Sequence, residues 1–351
     1  MAKRILYFLI FLFLFNILNS ANYDVAQAKS FRHKHQKVSV NEEAVNVVKK
    51  IDISSHSYKI NYVFADIDGT LIPFGSGNGG YIPSSVIDAA KILEDSNISF
   101  VLISGRTLYE IKQIADSLGL KKSYIVGNQG AEILTPHGAF VPIGGFSKSV
   151  LDNVLKEVEN FNKKNNSDVF PFIHANGKVF VFKQITLPFS FDEYVVIKST
   201  DEIGDNFNAV KIGLYNADLN LLLKLQKDLK EKFPDYSIVN SSPTFIDFLS
   251  KETSKGNAIK YITSKLNIPL RQVAVFGDSE NDISMLSLVA SQGGLAVAVD
   301  NAQQSVKDNS NYITDSVDND GFFNAVLLIV KNNKKLTPVR TNPNSYEYKR
   351  N

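Results

Sequence analysis

Three short apolar runs, Asn61 to Ala65, Val101 to Ile103 and Val273 to Phe276, each break off at acids or a hydroxyl with a glycine close by. This repeated ending constrains the fold more than any other feature of the chain. Strands buried on both faces read as continuous apolar, β-branched runs, and open α/β sheets gather their sites just beyond the carboxyl ends of such strands. Ser123 to Val126 and Gly294 to Val299 are two more runs of this kind. Helical spacing separates the runs, clearest in Val86, Ala89, Ala90 and Leu93 and in Leu108, Ile111, Ile114, Ala115 and Leu118. Strand and helix in alternation predict an α/β fold: a doubly wound, Rossmann-like parallel sheet covered on both faces.

At 351 residues the chain is long enough for a second domain, and the pattern changes near Pro136. A helix over Ser147 to Lys163 is followed by strand-like Val169 to Ile173, Val179 to Phe182, Tyr194 to Ile197 and Ala209 to Leu214. A helix over Leu219 to Lys232 and strands at Tyr236 to Val239 and Thr244 to Leu249 complete the series. Paired strands with two helices predict an inserted α+β cap with helices on one face of an antiparallel sheet. Phe170, Phe172, Phe180 and Phe182 alternate along their strands and are expected in the cap core. The expected boundaries are a first core part at 58–135, the cap at 136–240 and a second core part at 241–331.

The strand ends carry the chemistry. Asp66 and Asp68, one residue apart before Gly69, repel by ~4 kcal/mol at an effective dielectric of about 20. A divalent cation is the natural compensation, and an all-oxygen donor set favours Mg²⁺ over Zn²⁺. The same sequence also occurs as an ordinary strand-to-turn cap. Downstream, Gly277-Asp278-Ser279-Glu280-Asn281-Asp282 brings a second group of acids to a strand end and a helix start, where backbone N–H groups attract phosphate. Ser104-Gly105-Arg106 offers a hydroxyl and bare N–H groups for phosphate oxygens. Lys255 opens a helical pattern continued by Ala258, Ile259, Ile262 and Leu266 and so aims a cation at the same edge. Each of these residues alone reads equally as a turn, a cap or a solvated side chain.

Taken in order, Asp-Ile-Asp-Gly-Thr, the strand-final Ser104, the helix-opening Lys255 and Gly-Asp-x-x-x-Asp resemble the four motifs of the haloacid dehalogenase superfamily. The resemblance covers residues 60 to 330 and is nearest to the Cof-like, type IIB sugar-phosphatase branch. It implies a Mg²⁺-dependent phosphatase acting on a small phosphorylated metabolite of the sugar-phosphate kind through an aspartyl-phosphate. Asp66 is then the nucleophile and Asp68 the general acid and base. The Asp66 carboxylate, the Asp68 backbone carbonyl and Asp278 hold Mg²⁺. Ile67, Ser104, Gly105, Lys255 and Asn281 hold phosphate, and Asp282 orients Lys255 or a metal-bound water. Asn128, in Gly127-Asn128-Gln129-Gly130-Ala131-Glu132, with His174 and Asn176 beyond a cap strand, are candidate substrate contacts. That segment also resembles a motif of trehalose-phosphate phosphatases, so a disaccharide-phosphate phosphatase or a phosphomutase of the same fold is the enzymatic alternative. A non-catalytic exported binding module is the alternative of another class. Asp300 stands where relatives carry glycine and is expected to narrow the pocket.

Outside the motifs, Met1-Ala2-Lys3-Arg4, the apolar run Ile5 to Leu18 and Asn19-Ser20-Ala21 read as a signal peptide over 1–21, the run being short of the ~20 residues a spanning helix needs. This predicts a secreted or secretory-pathway protein, with an organelle on that route or an uncleaved membrane anchor as alternatives. No stable membrane association is expected once the leader is removed. Without Lys3 and Arg4 the 38 basic residues become 36 against 36 acidic ones, so nothing points to nucleic acid. Residues 22–57, with the run Arg32, His33, Lys34, His35 and Lys37, read as a flexible linker. Residues 332–351, rich in Asn, Lys and Pro, read as a disordered tail. The absence of cysteine excludes disulfides and thiolate chemistry.

Overall fold

A computed structural model describes residues 53–74, 81–184, 194–204, 208–242 and 244–336. The expected signal peptide, the linker through residue 52, residues 75–80 and the tail from residue 337 lie outside the described residues. Five strands come first: β1 (Tyr62–Ala65), β2 (Ser99–Ile103), β3 (Ile125–Gly127), β4 (Glu132–Leu134) and β5 (Phe140–Pro142). Six follow as β6 (Phe170–Ala175), β7 (Lys178–Val181), β8 (Tyr194–Val196), β9 (Ala209–Tyr215), β10 (Tyr236–Ser242) and β11 (Phe245–Ser250). The last are β12 (Val273–Gly277), β13 (Leu295–Ala298) and β14 (Tyr312–Ile313).

The first and last groups form one eight-stranded sheet in the order β14-β13-β12-β1-β2-β3-β4-β5. It is parallel from β14 to β3, and β4 and β5 return antiparallel. The period-2 pleat explains its two-sided burial. Val63 and Ala65 of β1 and Ala274 and Phe276 of β12 face one apolar layer, with Phe64, Val273 and Val275 in the other. The first layer is closed by α1 (Ser84–Asp95), α2 (Leu108–Ser117) and, later in the chain, the helix over Gly321–Leu336. The second is closed by the helices over Lys255–Lys265 and Ile283–Ser291. With α3 (Lys148–Asn165) and α4 (Leu219–Lys232) assigned to the cap, these become α5 (Lys255–Lys265), α6 (Ile283–Ser291), α7 (Gln304–Asp308) and α8 (Gly321–Leu336).

The cap sheet has six strands, ordered β10-β11-β9-β6-β7-β8. Its pairs are antiparallel except β7 with β8, which is parallel. Leu151, Val154 and Val158 of α3 and Leu222, Leu225 and Leu229 of α4 pack on one face of the sheet. Phe180 joins that layer, whereas Phe170 and Phe172 lie with Val179 and Val181 in a smaller cluster on the other face. No helix of the described residues is long and apolar enough to cross a membrane.

Four expected boundaries move. β5, placed in the cap by a boundary at 136, hydrogen-bonds to β4 at the edge of the core sheet. β11, placed in the second core part by a boundary at 241, pairs with β9 and β10 in the cap. The linker ends earlier than 57, because Ile53 and His56 are buried. The tail begins later than 332: α8 continues to Leu336 with Asn332 and Asn333 buried. Asn333 accepts from the Ile60 N–H (2.9 Å) and donates to its carbonyl (2.7 Å), and Asn332 donates to the His56 carbonyl. Polar composition imitates a tail here because these amides satisfy backbone groups of a distant segment.

Candidate active site

Register brings the chemistry together. Ala65 lies opposite Phe276 on one side and Leu102 on the other, so β1, β2 and β12 end level. Asp66 follows directly, its N–H bonded to the Phe276 carbonyl at 3.0 Å. The buried Asp66 Oδ1 lies 2.7 Å from Lys255 Nζ, which also meets Asp282 Oδ1 at 2.6 Å. Lys255 is the first residue of α5, where the Ser254 hydroxyl caps the helix by accepting from the Asn257 N–H. Asp282 is held in turn: its Oδ2 accepts from the N–H groups of Asp278 and Ser279 at 2.9 and 3.0 Å. Asp278 accepts from the Thr70 and Ser279 hydroxyls at 3.0 and 2.8 Å.

Carboxylate oxygens of Asp66, Asp278 and Asp282 lie within 4.8 Å of one another, close enough for each pair to repel by about 3.5 kcal/mol at an effective dielectric of about 20. Burial, helped by these like charges and opposed by Lys255, raises the Asp66 carboxyl well above its ordinary range. Burial and Asp282 push Asp278 up to about 6. Burial alone would lower the Lys255 ammonium, but Asp282 and Asp66 override it and raise it. The trio therefore carries an excess of negative charge, and its donor set is the all-oxygen kind that hard divalent cations take. Asp282 is tied to the Lys255 ammonium and to two backbone N–H groups, which makes it the strut for Lys255, whereas Asp278 accepts from two hydroxyls only, so Asp66 and Asp278 are the residues that could take a cation.

The Asp68 side chain stands outside this trio. Its two oxygens accept from Arg106 Nε and Nη2 at 2.8 and 2.6 Å in a fork that fixes the carboxylate plane. This bond, with the opposed effect of burial, raises the Arg106 pKa. Ser104 is buried at the end of β2, and its hydroxyl accepts from the Arg106 N–H. Gly105 lies under Gln129, whose side-chain nitrogen is 2.5 Å from where a Cβ would sit. Gln129 Oε1 accepts from Asn281 at 2.8 Å, so Gly105, Gln129 and Asn281 form one rim. Gly69, at φ +83°, admits the chain between Asp68 and Asp278: a Cβ there would fall 2.5 Å from Asp278 Oδ2. Ile67 is buried, and its carbonyl receives the N–H groups of Leu71 and Ile72.

Thus Asp66, Lys255, Asp278 and Asp282 form one cluster, with Asp68, Ser104, Gly105 and Asn281 along its rim. Asn128 and His174 line a neighbouring cavity. His174 is a buried residue inside β6 rather than beyond it. Asn176 is exposed in the β6–β7 turn at φ 53°. Asp300 pairs with Lys307 at 2.9 Å, and its neighbour Asn301 donates to the Gly69 carbonyl at 2.7 Å. Thr70, Ser279, Gln129 and Asn301 were missed as site residues. Ser279 adjoins Asp278 in sequence, a signal for a carboxylate donor, whereas Thr70, Gln129 and Asn301 act across distances that sequence does not display.

A doubly wound sheet with an inserted cap, and a buried acid and lysine at its strand ends, define a phosphoryl-transfer hydrolase. The chain belongs to the haloacid dehalogenase-like hydrolase family, which residues 63–326 match, and it is a phosphatase. A 5-amino-6-(5-phospho-D-ribitylamino)uracil phosphatase of Bacillus subtilis is 27% identical over 276 residues, 79% of this chain and 98% of the relative. A second phosphatase of the same organism is 26% identical over 283 residues, covering 73% and 95%. The fold of a haloacid dehalogenase-like hydrolase from Bacteroides thetaiotaomicron superposes with a TM-score of 0.63 at 21% identity, over 77% of this chain and all of that one.

Proposed function

We propose that the protein is a Mg²⁺-dependent phosphatase of a small hydroxylated metabolite, of the sugar-phosphate class, and that Asp66 is its nucleophile. The observation that carries this is the buried Asp66–Lys255–Asp282 chain beside Asp278, with Asp68 held two residues away by Arg106. An Asp66 oxygen forms a bond to phosphorus as the bond to the leaving oxygen breaks, and the Asp68 carboxyl supplies the proton that oxygen needs. Asp68, now a carboxylate, takes a proton from water, which attacks phosphorus, frees phosphate and restores Asp66. Lys255 opposes the effect of burial on the Asp66 carboxyl and so favours the carboxylate that attacks. The Ile67 and Gly105 N–H groups, the Ser104 hydroxyl, Lys255 and Asn281 receive the equatorial oxygens, the task on which phosphoryl transfer depends most.

Asp66 and Asp278 would hold Mg²⁺, with the Asp68 carbonyl as a further oxygen, and the bound ion would neutralise charge between nucleophile and phosphoryl group. The relative named for a phosphorylated ribityl compound supports a polyhydroxylated leaving group. Phosphate release from sugar, polyol and nucleotide monophosphates, with Mg²⁺ or EDTA, tests the reading. Turnover is expected only with Mg²⁺ and is abolished in Asp66→Asn. Hydrolysis that survives in Asp66→Asn at more than about a hundredth of the wild-type rate refutes the assignment of the nucleophile.

A further inference from the structure

The turn that follows β3 touches three of the loops that build the site. Asn128–Gly130 form a single turn between β3 and β4. The Asn128 N–H bonds to the Arg106 carbonyl at 2.8 Å and the Gln129 N–H to the Ser104 carbonyl at 3.1 Å, which ties the turn to the loop after β2. Gly130 lies against the start of α5, where a Cβ would fall 2.3 Å from the Ser254 carbonyl oxygen and 2.9 Å from the Lys255 nitrogen. Gln129 reaches the third loop, its Oε1 accepting from Asn281 Nδ2 at 2.8 Å.

Asn128 and Gln129 adopt φ of 50° and 64° in succession, the left-handed region that side-chain-bearing residues seldom occupy. Such residues persist where their surroundings over-determine them, and here two backbone bonds and the close approach of Gly130 do so. In this conformation the Gln129 amide covers Gly105, with Oε1 turned to Asn281. Glycine at position 129 would adopt the same φ without strain. Backbone geometry therefore gives no reason for glutamine there, and the bond to Asn281 supplies one.

That bond spans the site. In the sheet β3 is separated from β12 by β2 and β1, three steps of about 4.8 Å each. Asn281 follows β12 in the short turn Glu280–Asp282 and is exposed. An exposed asparagine samples several rotamers, and few of them meet a phosphate oxygen. The Gln129 amide selects one of them across the ends of the strands that lead to Asp66 and Ser104.

We propose that Gln129 is a positioning residue for phosphoryl transfer: it acts through Asn281, bracing that amide at the strand ends, while its turn fixes Ser104 and Lys255 relative to each other. This rests on the reading of Asn281 as a phosphate-holding residue and adds what aims it.

The test is a double-mutant cycle on the full chain with Mg²⁺, reading kcat/KM for p-nitrophenyl phosphate and the Kd of inorganic phosphate by calorimetric titration. Gln129→Gly removes the brace and relaxes the backbone. Its melting temperature should stay within about 2 °C of wild type or rise, while kcat/KM falls and phosphate binding weakens, each by about three- to thirtyfold. Gln129→Met keeps the length of the side chain without the acceptor and should lose as much. In an Asn281→Ala background either substitution should cost less than about twofold more, because nothing is left to aim. Equal losses in both backgrounds show Gln129 acting without Asn281 and overturn the proposal. So does Gln129→Gly with wild-type constants, or with a loss that accompanies a melting temperature more than about 5 °C lower, which assigns the residue to the fold. If the wild type turns over too little p-nitrophenyl phosphate to measure, the phosphate Kd decides alone. Asn281→Ala with wild-type constants, or a wild type that neither hydrolyses nor binds phosphate, overturns instead the reading of Asn281 as a phosphate-holding residue, and the brace with it.

Discussion

Replacing Lys255 with methionine removes the one buried cation that touches the acid trio among the described residues and roughly keeps its volume. In the intact protein its ammonium lies 2.7 Å from Asp66 and 2.6 Å from Asp282, with both partners buried. Breaking a buried ion pair by removing one partner costs about 3–5 kcal/mol. For a domain of this size that lowers the melting temperature by on the order of 10 °C. The sign of the pH dependence follows from Asp278. With its carboxyl pushed up to about 6 from 3.8, the native chain keeps a proton between those values that the unfolded chain has released. Stability is therefore withheld fully above pH 6 and returns as pH falls toward 4. Asp66, also raised, acts in the same direction. The Lys255→Met deficit should therefore be largest at pH 7.5 in EDTA. It should shrink at pH 5.5, where protons relieve the repulsion, and in saturating Mg²⁺, which restores positive charge. Thermal melts of both proteins under these three conditions decide it. A variant within about 1 kcal/mol of wild type in EDTA at pH 7.5, or a deficit that grows on acidification, refutes the account of the cluster.

Other outcomes follow from single residues. Gly69→Ala places a methyl group 2.5 Å from Asp278 Oδ2 at φ +83°, so stability should drop by about 1–3 kcal/mol and calorimetric titration should show weaker Mg²⁺ binding. Asn333→Ala unpairs the N–H and carbonyl of Ile60 and should cost about 2–4 kcal/mol in urea unfolding, whereas a genuine tail residue would cost nothing. Because His174 has a native pKa below the unfolded 6.5, the unfolded chain takes up the proton first as pH falls below 6.5, and stability declines there by up to about 1.4 kcal/mol per pH unit. His56 adds to this in the same direction, so the part that disappears in His174→Gln measures His174 alone.

What could be read in advance was whatever repeats locally. Val63, Phe64 and Ala65 run into Asp66 without a polar interruption, and the apolar spacing of Leu222, Leu225 and Leu229 was enough to place α4 at Leu219–Lys232. β4 and β5 escaped notice because, unlike the equally short β3 and β8, each carries a residue that reads as a break, Glu132 at the start of β4 and Pro142 at the end of β5. The cap boundaries slipped because β11 carries the same alternation in either sheet, and pairing rather than sequence decides which one it joins. Asn332 and Asn333 were misread for the opposite reason: their composition is that of a tail, and their partners lie at the other end of the described chain. The acids of the site were visible as strand ends. The Asp68–Arg106 fork and the Gln129–Asn281 bond needed the fold to bring them together.

The position of β1 has a consequence for synthesis. One of its two neighbours, β12, lies on the far side of the entire cap in sequence, and the amide that secures its approach at Ile60 belongs to α8. A chain emerging from the ribosome can complete every cap strand, β6 through β11, while the strand that carries Asp66 still lacks β12. Pairing on both sides of β1 thus waits until β12 has been made, and any product truncated before α8 leaves that apolar strand without the amide that secures Ile60.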